Sequence, residues 1–282
     1  MPLVSVSTLL KRAQEKKYGV ASFNIFTLET AVAGIQAAKA LNAGVILQVY
    51  SRLFEDKVMG MPLAVAACYM AQQEDVPVAV TVDHGANREV TMMAARAGCS
   101  GVMIDASTEV LEENIRKTAD VCKLMHAVGV SVEGELGHVG MAKDGIDGTY
   151  TDPDEAVEYA EKTGVDALAV MVGTAHGRYK QLPVLDIARV ETIAQRTGVP
   201  LVLHGGSGVP DEQIQAAVKA GVCKLNIGTN VCATYQSVVK SRSLDDPIWE
   251  RPLDIFAREP IARTVEFMKE CIVMLGSENS AR

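Results

Sequence analysis

Three of the five histidines fall where a short apolar run ends: His84 closes VPVAVTVDH (76–84), His176 follows VDALAVMVG (165–173), and His204 comes directly after GVPLVL (198–203). Of the other two, His126 ends a helical stretch and His138 sits in a polar, glycine-rich one. A single histidine at a strand end reads most simply as a satisfied structural side chain. Three on one rim read differently, because imidazole nitrogens suit Zn²⁺, and three protein ligands plus an open position is the catalytic zinc arrangement. The sequence therefore predicts a metal site at His84, His176 and His204. Asp83 precedes His84, and a regular strand would send the two side chains to opposite faces, so they share a site only where the strand is already turning into its loop. There the carboxylate would serve as general acid/base or as support for a histidine. Glu133 and Glu135, two apart on the fifth run, share a face and offer an alternative ligand, a proton-transfer group or a structural ion pair.

Two glycine-rich segments look built for an anion. HGGSG (204–208) and NIGTN (226–230) each end a strand and lead into a helix, so backbone N–H groups and hydroxyls gather at helix N-termini in consecutive repeats. Gly177, next to His176, lets backbone approach a ligand closely.

Positioning these groups requires a scaffold that brings strand ends together. Eight apolar, β-branched runs recur at even spacing, at 18–24, 43–50, 76–84, 101–105, 128–137, 165–173, 198–206 and 221–228. Helical periodicity fills the gaps, over Leu28–Leu41, Arg88–Ala97, Val110–His126, Asp154–Thr163, Asp211–Ala220 and Val231–Lys240. Thr27, Asp152-Pro153 and Pro210-Asp211 supply helix-start signals. Strand then helix, eight times, predicts a single (β/α)₈ TIM barrel over residues 1–282, whose chemistry sits at the carboxyl ends of the strands. A doubly wound open sheet is the rival, but the first run ends in Asn24-Ile25-Phe26, without the Gly-rich phosphate turn such sheets often carry. The polar stretch from Gly137 to Tyr150 reads as a mobile active-site loop. Ser241–Arg258, with the lone Trp249, reads as irregular, and an extra helix over Pro260–Met274 closes the chain.

Composition narrows the partners. Lys and Arg number 27 against 35 Asp and Glu, giving a net charge of −8, without a basic cluster to hold nucleic acid or an anionic membrane. No apolar run approaches the ~20 residues that span a bilayer, and the N-terminus lacks the layout of a signal peptide. Six cysteines without a C-x-x-C pair predict buried free thiols and a cytoplasmic protein.

The motifs VDHG, VMIDAS, VEGELG, YTDPDEA, GTAHGRYK, LVLHGGSG and LNIGTN follow one another between Val82 and Asn230. With this set in this order the chain resembles, from about Ser5 to Gly276, the class II, metal-dependent ketose-bisphosphate aldolases, the group of the fructose- and tagatose-1,6-bisphosphate enzymes. The resemblance implies a homodimeric or homotetrameric barrel that reversibly splits a ketose 1-phosphate or ketose 1,6-bisphosphate into dihydroxyacetone phosphate and an aldehyde. It implies zinc on His84, His176 and His204, Glu135 as an alternative metal ligand, Asp83 as the acid/base at the C4 hydroxyl, and Asn226 as the amide that stabilises the enediolate. It also implies that Gly177, Gly205, Ser207 and Thr229 hold the 1-phosphate, with a monovalent cation (Na⁺ or K⁺) nearby. The chain departs from the family at three places. The mobile loop reads GMAKDG where a G-G-x-E/D-like stretch is usual, leaving Asp144 or Asp147 to handle the C3 proton. Gly228 stands where fructose-type enzymes tend to have Asp, and Cys232 where a typical bisphosphate enzyme has the Arg that grips the distal phosphate. Arg52 and Arg178 are candidate substitutes for that grip. Two other readings are a zinc hydrolase on the same barrel, which often opens with H-x-H on its first strand, and a non-catalytic aldolase-like subunit, which would lack a ligand or the acid.

Overall fold

The computed structural model describes residues 3–55, 59–140, 150–177, 179 and 182–281. Residues 141–149, with Asp144 and Asp147, lie outside the described residues, as does Arg178. Eight parallel strands run β1 (Val20–Ile25), β2 (Val45–Tyr50), β3 (Val78–Asp83), β4 (Gly101–Ile104), β5 (Ser131–Leu136), β6 (Ala167–Val170), β7 (Leu201–Leu203) and β8 (Val222–Ile227). Their order is β3-β2-β1-β8-β7-β6-β5-β4. A thinner seam closes the ring, where Ser100 N donates to Val80 O (2.9 Å), Gly85 N to Met103 O (3.1 Å) and Asp105 N to Gly85 O (3.0 Å). The result is the TIM barrel that the alternation predicts.

Helices follow the strands: α2 (Leu28–Ala40), α3 (Ser51–Glu55) with α4 (Gly60–Gln72), α5 (Arg88–Arg96), α6 (Leu111–His126), α7 (Pro153–Thr163), α8 (Ile187–Thr197), α9 (Asp211–Ala220) and α10 (Thr229–Lys240). The start signals act as expected. Thr27 caps α2 in a reciprocal box with Thr30, and Asp152 accepts from Asp154 N and Glu155 N with Pro153 at the first helical position. The segment expected to be irregular holds a 3₁₀ turn, Pro247–Glu250, and a short helix α11, Leu253–Phe256. The closing helix α12 (Arg258–Met274) starts two residues before Pro260, which is tolerated because N–H groups in a first turn have no helical partner to lose.

One helix stands outside the alternation. α1 (Val6–Lys16) precedes the first strand and packs Leu9, Leu10 and Ala13 against Val20, Ile46, Ala79 and Val202, closing the amino end of the barrel with an apolar plug. Above that plug the interior turns polar. Ser22 Oγ donates to Gln48 Oε1 (2.6 Å), Gln48 Nε2 to Asn24 Oδ1 (2.8 Å), and Lys224 Nζ to Glu133 Oε2 (2.6 Å), all buried. The outward faces of the strands meet the helices in a continuous core rich in Val, Leu, Ile and Ala. No described helix is long and apolar enough to cross a membrane.

Candidate active site

The polar half of the interior rises into a mouth of about 550 Å³ at the carboxyl ends of the strands. His84, immediately after β3, has φ +49°, a left-handed conformation that costs a non-glycine residue about 1–2 kcal/mol. That strained turn settles how adjacent residues come to share a site. It swings His84 back toward the mouth that Asp83 already faces, leaving His84 Nε2 4.0 Å from Asp83 Oδ1. His204 follows β7 and is fully buried. Gly205 next to it has φ +70°, and a Cβ there would lie 2.3 Å from Ala175 O, so the turn beside His204 requires glycine.

The three histidines meet. His84 Nε2 lies 3.2 Å from His176 Nε2 and 3.0 Å from His204 Nδ1. Each outer ring nitrogen has its own acceptor: Asp105 Oδ2 at 2.7 Å for His84, Val139 O at 2.9 Å for His176, and Glu133 Oε1 at 2.9 Å for His204. Two carboxylates and a carbonyl have no proton to give, so in the neutral rings the hydrogen sits on the outer nitrogen. Three lone pairs then converge on one point, a donor set that a divalent cation satisfies, with the outer partners fixing ring orientation. Glu135 fits the same demand, because it is fully buried, its Oε2 has no hydrogen-bond partner, and that atom lies 3.5 Å from His204 Nδ1.

The electrostatics agree. Burial alone would push His84 down, but Asp83, Asp105 and Glu135 outweigh it and raise its pKa to about 10. Burial, then His84 and His204, push His176 down to about 4. Of these two rings, His84 thus favours the charged form and His176 the neutral one. Burial would raise Glu133, yet Lys224 and His204 hold it at about 2. Burial and the neighbouring Asp105 push Glu135 up.

Across the mouth, both oxygens of Asp83 are occupied: Asn24 Nδ2 donates to Oδ2 (2.7 Å) and Asn226 Nδ2 to Oδ1 (3.1 Å). The buried Asn226 Oδ1 has no partner of its own. Gly177, Gly205, Ser207 and Thr229 all line the cavity, and Thr229 is the first residue of α10, whose N-terminal N–H groups favour an anion. Gly228 is hemmed in, since a Cβ there would lie 2.8 Å from Asn24 Oδ1. The far wall carries Tyr50, Arg52 and Cys232, with the Arg52 guanidinium 5.4 Å from the centre of the Tyr50 ring.

Sequence reasoning missed two supports and left a third open. Asp105, which orients His84, ends the fourth run just as Asp83 ends β3, so its position was readable. Lys224 shares a strand face with Asn226, and a lone cation inside an apolar strand signals a buried partner. That partner, Glu133, belongs to the ion pair that was one of its three predicted roles, and it also orients His204.

Comparison with known proteins gives one direction throughout. The family described as class-II fructose-bisphosphate aldolase matches residues 4–280. A fructose-bisphosphate aldolase of Geobacillus stearothermophilus is 41% identical over 94% of this chain and 95% of its own. A probable fructose-bisphosphate aldolase of Bacillus subtilis is 38% identical over the whole of both chains. The crystal structure of the YdjI aldolase from Escherichia coli K12 superposes with a TM-score of 0.88 at 33% identity, covering 99% of this chain and 100% of that one. The fold, the metal-dependent character of the family and the cluster of histidines lead to one conclusion: this chain belongs to the class II fructose-bisphosphate aldolases and is a carbon–carbon lyase.

Proposed function

We propose that this aldolase cleaves a ketose 1-phosphate to dihydroxyacetone phosphate and an aldehyde, reversibly, with zinc at His84, His176 and His204. The observation that carries this reading is the convergence of three ring nitrogens, with His176 Nε2 3.2 Å and His204 Nδ1 3.0 Å from His84 Nε2, and with every outer nitrogen held by an acceptor. A bound divalent ion supplies Lewis acidity toward the C2 carbonyl and the enediolate that cleavage leaves. The chain's own residues do the rest. Asp83, held by two amides, takes the C4 hydroxyl proton as the C3–C4 bond breaks and returns it to the aldehyde oxygen in condensation. Asn226 donates to Asp83 and has its carbonyl free toward the mouth, which supports a role in holding the enediolate hydroxyl. Gly177, Gly205, Ser207 and Thr229 hold the 1-phosphate through backbone N–H groups and hydroxyls, with Na⁺ or K⁺ beside it. Glu135 serves as an alternative metal ligand. Lys224 does not act as a Schiff-base lysine, because its ammonium is buried against Glu133.

A zinc hydrolase is disfavoured, since β1 directs Ser22 and Asn24 into the interior and carries no histidine. The ligands, Asp83 and Asn226 are all present, which argues against a non-catalytic subunit. The whole chain works as one domain, and exposed Leu244, Trp249 and Leu253 on the C-terminal arm support a homodimer or homotetramer. Six free cysteines support a cytoplasmic setting. The test is release of dihydroxyacetone phosphate from a panel of ketose 1-phosphates, with and without chelator. Release that chelator abolishes is expected. Full activity in chelator, or borohydride trapping of substrate on a lysine, would overturn the reading.

A further inference from the structure

Glu133 and Glu135 turn their side chains into the barrel, so Gly134 between them faces the outer helices. A Cβ on Gly134 would run into the hydroxyl oxygen of Tyr159 and lie 3.1 Å from its ring carbons, so the tip of the phenol occupies the space a side chain would fill. Tyr159 stands on α7 and is the bulkiest fully buried side chain among the described residues. Its hydroxyl reaches α6, where it lies 2.9 Å from Thr118 Oγ1 and donates to Asn114 Oδ1 (3.2 Å). Asn114 returns the contact to the strand, because its Nδ2 donates to Glu135 O (2.9 Å).

Buried amides and hydroxyls are costly unless paired, and Asn114, Thr118 and Tyr159, all buried, pair with one another and with β5. An apolar side chain would fill the same core. What the polar arrangement adds is a fixed standing for the strand, gripped from α6 at one residue and from α7 at the residue before it. The inner face of that stretch carries Glu133 Oε1, 2.9 Å from His204 Nε2, and the unpartnered Glu135 Oε2, 3.5 Å from His204 Nδ1. A close-packed interior hands a displacement on rather than absorbing it, so a shift of β5 moves both carboxylates at once.

We infer that Tyr159 is a positioning residue for the metal centre: its hydroxyl fills the notch at Gly134 and, with Asn114, sets how far β5 stands toward the interior. That depth decides where Glu133 holds His204 and where Glu135 offers its oxygen. The role rests on the metal reading above. It also makes positions 134 and 159 a complementary pair, because a methyl on one can take the place of the hydroxyl on the other.

The experiment measures Zn²⁺ affinity of the full chain by competition with a chromogenic chelator, beside the unfolding midpoint of the metal-free protein. Tyr159→Phe empties the notch and Gly134→Ala overfills it, so each is expected to weaken zinc binding by about tenfold or more. Gly134→Ala/Tyr159→Phe refills the notch and should bind zinc within about threefold of wild type, a recovery that additive losses could not give. A ring that merely filled the core would move the unfolding midpoint and leave the affinity of the folded protein as it was. The inference is overturned if Tyr159→Phe binds zinc within about threefold of wild type, or if the double variant fails to fold or binds no better than Tyr159→Phe. Both criteria hold even where Gly134→Ala alone does not fold. A wild type that binds no divalent ion would instead overturn the metal reading, and this role with it.

Discussion

On the β3–β6–β7 side of the mouth, nearly every polar atom is committed: three rings, each with an outer acceptor, and those acceptors held in turn by Ser107 and Lys224. The wall formed by β2, α3 and α10 is built otherwise, from Tyr50, Arg52 and Cys232 around open space, and Arg52 is the sole Lys or Arg among the described residues lining the cavity. Preorganised dipoles on one side and a sparse wall on the other teach that bond making is specified in this chain far more tightly than the identity of the aldehyde.

The comparison breaks most visibly at the histidines. Replacing His84, His176 or His204 with Ala, or treating with EDTA, should lower cleavage by about 10³-fold or more, because several kcal/mol of Lewis-acid stabilisation goes with the ion. Restoration of the EDTA-treated wild type by Zn²⁺ or Co²⁺ checks it. Next comes Asp83→Ala, for which cleavage should fall by about 10²-fold or more while C3 exchange on dihydroxyacetone phosphate largely survives. Equal loss of both would make Asp83 a support for the metal site instead.

A smaller effect is expected one layer out. Asp105→Asn should weaken metal binding by about 10–100-fold, read by competition with a chromogenic chelator. Lys224→Met strands the Glu133 carboxylate in the interior and should destabilise the fold by about 3–5 kcal/mol, much of it recovered in Glu133→Gln/Lys224→Met. The sign with pH follows from the same pair. Glu133 is held at about 2 in the fold against an ordinary value of 4.5, so the stability it contributes is present above 4.5 and fades as pH falls toward 2. Denaturation of the metal-free protein across that window should show this loss in the wild type and not in the double variant.

The smallest contrast sharpens the sparse wall. A phosphate dianion prefers the bidentate grip of Arg, and Cys232 offers only a weak thiol donor, so a ketose 1-phosphate without a terminal phosphate should be the better substrate. Values of kcat/KM for fructose and tagatose 1,6-bisphosphates against their 1-phosphates measure it. A bisphosphate winning by about tenfold, roughly 1.4 kcal/mol, would show that the far wall holds a second anion after all.

The barrel was legible because parallel strands buried on both faces write themselves as apolar runs, and eight such runs alternating with helices leave few architectures. α1 was less legible because it stands before the first strand and its role is to plug the barrel. The site residues were legible by type and strand-end position. What their sequence withheld was direction: nothing in VDHG says that His84 adopts a positive φ, and without that turn Asp83 and His84 would face apart. The Glu133–Lys224 pair was hidden for a different reason. It joins β5 and β8 across the interior, a distance set by barrel closure and by no local pattern.

Gly228 links the two walls, and the link bears on how such an enzyme can be redesigned. Grafting the Asp of fructose-type enzymes onto this position would drive a Cβ to 2.8 Å from Asn24 Oδ1, and Asn24 is the residue whose amide holds Asp83. Gly228→Asp therefore reaches the proton-handling carboxylate before it can retune the substrate. Positions 24 and 228 are neighbours that share the Asp83 contact, so substitutions at the two are expected to be non-additive.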